Sequence, residues 1–115
     1  MQVSVTGRHV KITDSIKNYA YDSVERELAN YDRIEDVHII LDIEKYRQIA
    51  EVVIQAKNHI RIEAKDDSED MYVSIDSALE KAEKQMHKLR DKVQDHKSKE
   101  GLGHLEREIQ DAEIR

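Results

Sequence analysis

Four lysines, Lys81, Lys84, Lys88 and Lys92, recur at spacings of three and four residues. On an α-helix, at ~100° per residue, they fall within about 80° of one another. Ammonium groups in such a row make and break no bonds; the row is either a solvated helix face, as most charge runs on helices are, or a strip that binds a polyanion. A helix rises ~1.5 Å per residue, so the row can follow several phosphates of a nucleic-acid backbone. Contacts of this kind position a protein and do not read sequence. Lys84, Lys88 and Lys92 stand at i, i+4 and i+8. Like charges at that spacing cost a helix ~0.2–0.5 kcal/mol per pair, so the row is not tuned for helix stability. Glu80 precedes Lys84 in the favourable direction, but Lys88 and Lys92 have only Asp91 and Asp95 nearby.

Other chemistry is poorly supported. The six histidines, at 9, 38, 59, 87, 96 and 104, form no HExxH motif, and there is no cysteine. A zinc site needs three or four convergent ligands, so no metal is expected. No Ser/His/Asp order or nucleophile elbow is present. Between Arg8 and Glu100 there is no glycine, which excludes the glycine-rich phosphate loops of nucleotide enzymes. No catalytic residue, cofactor or small-molecule substrate is therefore predicted. Asp70 reads as first-turn helix stabilisation, and Asp76 as a surface residue.

Charge narrows the argument further. The chain has 115 residues, a net charge of −6, no Trp and no Phe. A base-stacking sheet of the RNA-recognition-motif kind is excluded by the missing aromatics. A general attraction for polyanions is excluded by the sign of the charge. Residues 1–97 hold 16 basic and 20 acidic side chains, and residues 98–115 hold 3 and 5. Within 81–97, however, there are six basic residues and three acidic, a local +3. Any nucleic-acid contact must be made by that face alone.

The elements that carry this face follow from periodicity. Ile75, Leu79, Ala82, Met86, Leu89 and Val93 are spaced four, three, four, three, four, which predicts one long helix from Ser68 to Lys97. Its apolar seam lies roughly 135° around from the lysines. Ser68 is the predicted N-cap, with Glu69 and Asp70 at the positive end of the helix dipole. Upstream, Gln2–Thr6 alternates as a short strand. Thr13 caps a predicted helix over 14–29, with Ile16, Ala20, Val24 and Leu28 in one row. Ile34–Glu44 is a second strand, with Val37, Ile39, Leu41 and Ile43 on one face. Lys45, Tyr46 and Arg47 form a turn into a third strand, Gln48–Lys57, with Ala50, Val52, Ile54 and Ala56 inward. Asn58 suits the next turn, since Asn tolerates the left-handed region. Ile60, Ile62 and Ala64 give the fourth strand its inner face.

The order is βαβββα: an α+β two-layer sandwich in which both helices cover the apolar face of a four-stranded sheet. Residues 1–97 form one domain, and 98–115 a flexible or weakly helical tail. No run reaches the ~18–20 apolar residues of a membrane span. The amino terminus lacks the pattern of a secretory signal, which predicts a cytoplasmic protein without a membrane partner.

With this order in hand, the chain resembles the short ribosome hibernation promoting factors and ribosome-associated translation inhibitors. The closest motif is Asp70-Met71-Tyr72-x-x-Ile75-Asp76, followed by Lys81, Lys84-Gln85-Met86, Lys88 and Arg90-Asp91-Lys92. Val5-Thr6-Gly7-Arg8-His9-Val10 with Ile12-Thr13, and Tyr31-Asp32-Arg33-Ile34, add to the likeness. The resemblance implies a fold like a double-stranded-RNA-binding domain with an extra first strand. It also implies binding to the small ribosomal subunit in the channel for messenger and transfer RNA, with translation blocked in stationary phase or stress. By matching position, Lys81, Lys84, Lys88, Arg90 and Lys92 would face ribosomal RNA, with Arg8 and Lys11 ahead of the first helix as further contacts. The protein would be a monomer off the ribosome. The alternative is a self-associating interaction module without RNA binding, built on Ile40, Ile49 and Val53 on the sheet face away from the helices.

Overall fold

A computed structural model describes residues 1–98 of the chain, and the side chains of residues 1–90. The elements are β1 (Gln2–Gly7), α1 (Asp14–Leu28), β2 (Ile34–Glu44), β3 (Arg47–Ala56), β4 (Ile60–Ser68) and α2 (Met71–Ser98). The expected tail lies outside the described residues, save Ser98. The chain divides into two compact units, Met1–Glu83 and Lys84–Arg115.

In the first unit the four strands form one sheet in the order β1-β2-β3-β4. β1 pairs parallel with β2, and β2–β3 and β3–β4 are antiparallel hairpins. A parallel pair needs a crossover, and α1 supplies it. Register puts Val37 and Ile39 of β2 opposite Ile54 and Val52 of β3, which in turn face Ile62 and Ala64 of β4. All six are buried. This is the inner face set by strict alternation. Ala20, Val24 and Leu28 of α1 and Ile75, Ala78, Leu79 and Ala82 of α2 are buried in turn. Burying side chains of this size contributes ~1.5–3 kcal/mol each for the larger ones. Both helices therefore lie on one side of the sheet, as the α+β sandwich requires.

Thr13 caps α1 as predicted, its side chain accepting from the Ile16 amide at 3.2 Å. The cap of α2 is different from the expected one. Ser68 stays in β4, paired with Gln48, and the turn that follows puts Asp70 at the helix head. The Asp70 carboxylate accepts from the Tyr72 amide at 2.9 Å, and the Asp70 carbonyl from the Ser74 amide at 3.0 Å. Ser68 is the expected cap and Asp70 a first-turn residue; strand pairing of Ser68 moves the cap to Asp70. The turn into β3 is also tighter than expected, because Arg47 already pairs with Glu44 and leaves only Lys45 and Tyr46 outside the ladder. Asn58 takes the left-handed region, with φ 65°, and His59 joins it at 61°.

Two close contacts fix the ends of these elements. A Cβ on Gly7 would overlap the Val10 carbonyl oxygen and reach Ile12 Cδ1 at 2.9 Å, so the exit from β1 requires glycine. Ser74, fully buried on α2, donates from its hydroxyl to the Gln48 carbonyl of β3 at 2.6 Å, and its oxygen lies 2.7 Å from the Ser68 hydroxyl. One side chain thus ties the helix head to the start of β3. Ser74→Ala removes the donor of a part-buried hydrogen bond and is expected to cost about 0.5–1.5 kcal/mol in urea unfolding. An unchanged midpoint would show that this tie does not hold the helix.

Candidate nucleic-acid interface

The lysine row is carried by α2, and each side chain has its own setting. Lys81, in the first unit, is exposed yet engaged: its Nζ lies 3.4 Å from Asp66 Oδ2 and 3.4 Å from the Lys65 carbonyl oxygen. Asp66 stands on the inner-face register opposite Ala50, at the point where the apolar row of β4 ends. Lys81 therefore spends part of its charge on the domain's own sheet. In the second unit Lys84 and Lys88 are exposed, and Met86 and Leu89 are buried. Arg90 is exposed but does not join the lysines. It lies two residues past Lys88, which turns it through ~200° of helix, and its guanidinium sits 3.3 Å from His87 Nδ1. The side chain of Lys92 lies outside the described residues.

Arg8 and Lys11 are exposed in the loop between β1 and α1. The Arg8 amide donates to the Leu41 carbonyl at 2.8 Å, which extends the β1–β2 pairing by one residue. Beside it, His9 takes φ 49° and its Nδ1 meets Asp42 Oδ1 at 3.0 Å. The hydrogen bond from His9 is the main reason the Asp42 carboxyl is held below the ordinary carboxylate range. These residues form a separate polar group at the end of β1.

Two acids of α2 are held within the first unit. Tyr19 of α1 donates its hydroxyl to Asp76 Oδ2 at 2.6 Å, and Tyr31 donates to Glu83 Oε2 at 2.6 Å. Asp76 and Glu83 are seven residues apart, so they share one face of the helix. Arg26 Nη2 stands 3.7 Å from Asp76 Oδ1, and Tyr72 packs edge-on to Tyr19 at a centroid distance of 4.9 Å. Asp76 is thus half-buried in a contact between the helices, which corrects its reading as a surface residue. The signal in the sequence was the tyrosine beside the Ile16–Leu28 row, whose phenol needs a polar partner once its ring is covered. The outer sheet face carries the three apolar residues of the alternative reading. Ile49 is only 5 % exposed, and Ile40 and Val53 are half-buried among strand neighbours.

The hydrogen bond to Asp76 is the largest cause of a raised pKa at the Tyr19 phenol. A folded-state pKa above the unfolded value contributes stability below ~10 that is lost as pH rises through the folded value. Asp76→Asn is expected to bring the Tyr19 titration down towards an ordinary phenol, followed by NMR on the Tyr19 ring. A Tyr19 titration that does not move in Asp76→Asn would contradict this pairing.

Comparison with known proteins converges on one group. The profile of the Sigma 54 modulation protein / S30EA ribosomal protein family matches residues 3–94. The ribosome hibernation promoting factor of Klebsiella oxytoca is 33% identical over 96 residues, covering 84% of this chain and 100% of that one. The factor of the same name from Pseudomonas putida is 32% identical over 94 residues, covering 82% and 91%. Among solved structures, a ribosomal subunit interface protein from Coxiella burnetii superposes with a TM-score of 0.74 at 27% identity, covering 79% of this chain and 99% of that one. The Thermus thermophilus Protein Y N-terminal domain shares the fold, with a TM-score of 0.67 at 24% identity, covering 74% and 94%. With a matched stretch that runs from β1 into the distal part of α2, this chain belongs to the Sigma 54 modulation protein / S30EA ribosomal protein family.

Proposed function

We propose that this protein is a ribosome hibernation factor, which binds the small ribosomal subunit in the channel for messenger and transfer RNA and silences translation in stress or stationary phase. It acts by occupancy and without catalysis, as a cytoplasmic monomer when off the ribosome. The observation that carries this reading is the family match together with the exposed Lys84 and Lys88 on α2 of an otherwise acidic chain. The relatives named as ribosome hibernation promoting factors support the ribosome as partner. Among the described residues, no helix is long and apolar enough to cross a membrane.

Lys84 and Lys88, continued by Lys92, meet the phosphates of ribosomal RNA. Lys81 contributes less, because binding RNA would compete with Asp66. Arg90 faces another side of the helix, and Arg8 and Lys11 make a contact of their own if the loop before α1 reaches RNA. Self-association through the outer sheet face is the weaker reading, since Ile49 is buried within its own sheet.

Replacing Lys84, Lys88 and Lys92 with Glu is expected to weaken co-sedimentation with purified small subunits by about tenfold or more, since three phosphate contacts become repulsions. The substituted side chains are exposed where described, so the fold should survive. Undiminished co-sedimentation of the triple variant would remove the lysine row from the interface.

A further inference from the structure

Tyr46 is 89 % exposed, more than the other exposed large apolar side chains, Met1, Tyr72 and Val73, among the described residues. It stands at the tip of the β2–β3 hairpin, one of only two residues outside the ladder. Nothing in the fold uses its ring. Its neighbour Lys45 takes φ 56°, a left-handed conformation that L-residues other than Gly, Asn and Asp seldom adopt. The two-residue turn itself calls for that positive φ, so what the fold leaves unexplained is the uncovered aromatic.

The tip is also braced. Arg47 Nε binds Asp67 Oδ2 of β4 at 2.9 Å, and Arg47 Nη1 lies 3.9 Å from Glu44 Oε1. The ladder from Glu44–Arg47 back to Ile34–Ala56 holds the hairpin along its length. Tyr46 therefore projects from a rigid post, and little ordering remains to be done on binding. Charge here is balanced: Lys45 and Arg47 stand against Glu44 and Asp67. The tip neither attracts a phosphate backbone strongly nor repels it. What it offers is a flat ring with one lysine beside it. That chemistry suits an unstacked nucleobase, which can be taken on an aromatic face whatever its identity.

We propose that the β2–β3 hairpin tip is a second RNA contact, in which Tyr46 stacks on an unpaired base of the RNA that the lysine face of α2 engages. This rests on the ribosome-binding reading above. It differs from that reading in its chemistry, since stacking survives salt that weakens the lysine contacts.

The test is binding of the full chain to purified small subunits. Tyr46→Ala is expected to weaken binding about tenfold, whereas Tyr46→Phe, which keeps the ring, binds like the wild type. The chain has no tryptophan, so Tyr46→Trp adds a single reporter at the tip. Its fluorescence should be quenched when the subunit binds, as a base covers the indole. Wild-type affinity in Tyr46→Ala would overturn the stacking contact and leave the ribosome reading standing. A blue shift of Tyr46→Trp without quenching would put the tip against protein and also overturn it. Failure of the wild-type chain to bind small subunits would overturn both.

Discussion

One apolar sheet face has to be covered, and the helix that covers it has only one seam with which to do so. Ile75, Leu79 and Ala82 of α2 are fully buried, and truncating a residue such as Leu79 to Ala would cost ~2–5 kcal/mol. That requirement fixes the rotation of α2 about its own axis. Once the seam of the first unit points inward, Lys81 of that unit must point elsewhere. Ser74 strengthens the constraint at the helix head, where its hydroxyl is held by the Gln48 carbonyl. The direction of Lys81 is thus a consequence of core packing.

The same rotation sorts charge. Asp76 and Glu83 fall towards tyrosines of the first unit, and there each carboxylate accepts a hydrogen bond from a phenol. Hydrogen bonds to an ionised group are the stronger kind, so these acids are both stabilising and locally occupied. These two acids of α2 are engaged within the first unit, while Lys81, Lys84 and Lys88 are exposed. On the proposed ribosome-binding reading, a protein with a net charge of −6 would approach a polyanion productively by its lysine face only. Orientation is then selected by the repulsion of every other face.

Most of the architecture is legible in the residues because period and burial agree. β2 from Val37 and β3 from Ala50 alternate, and α1 is opened by a clear Thr13 cap, so element order and helix positions follow from residue type. Sequence and structure part where two local rules compete. Ser68 and Asp70 are both good caps, and only the Gln48–Ser68 pairing shows which one is free for the helix. The lysine row is legible from spacing, but the cost to Lys81 of its bond to Asp66 depends on a contact that folding alone creates. Asp76 is legible only in part: Tyr19 signals the need for a polar partner, but that the partner is Asp76, 57 residues away, depends on folding. Arg90 stands with the lysines in sequence, although its helical angle already sets it apart.

The central claim is that the lysine face of α2 attaches this protein to ribosomal RNA by displacing counterions. Its most direct test is the salt dependence of binding to purified small subunits between about 50 and 200 mM monovalent salt. The logarithm of the binding constant should fall linearly with the logarithm of salt concentration. Replacing Lys84 and Lys88 with Ala should make that slope shallower by about two, one for each phosphate that is no longer neutralised. An equal slope for the variant and the wild type would contradict the account, whatever the absolute affinity.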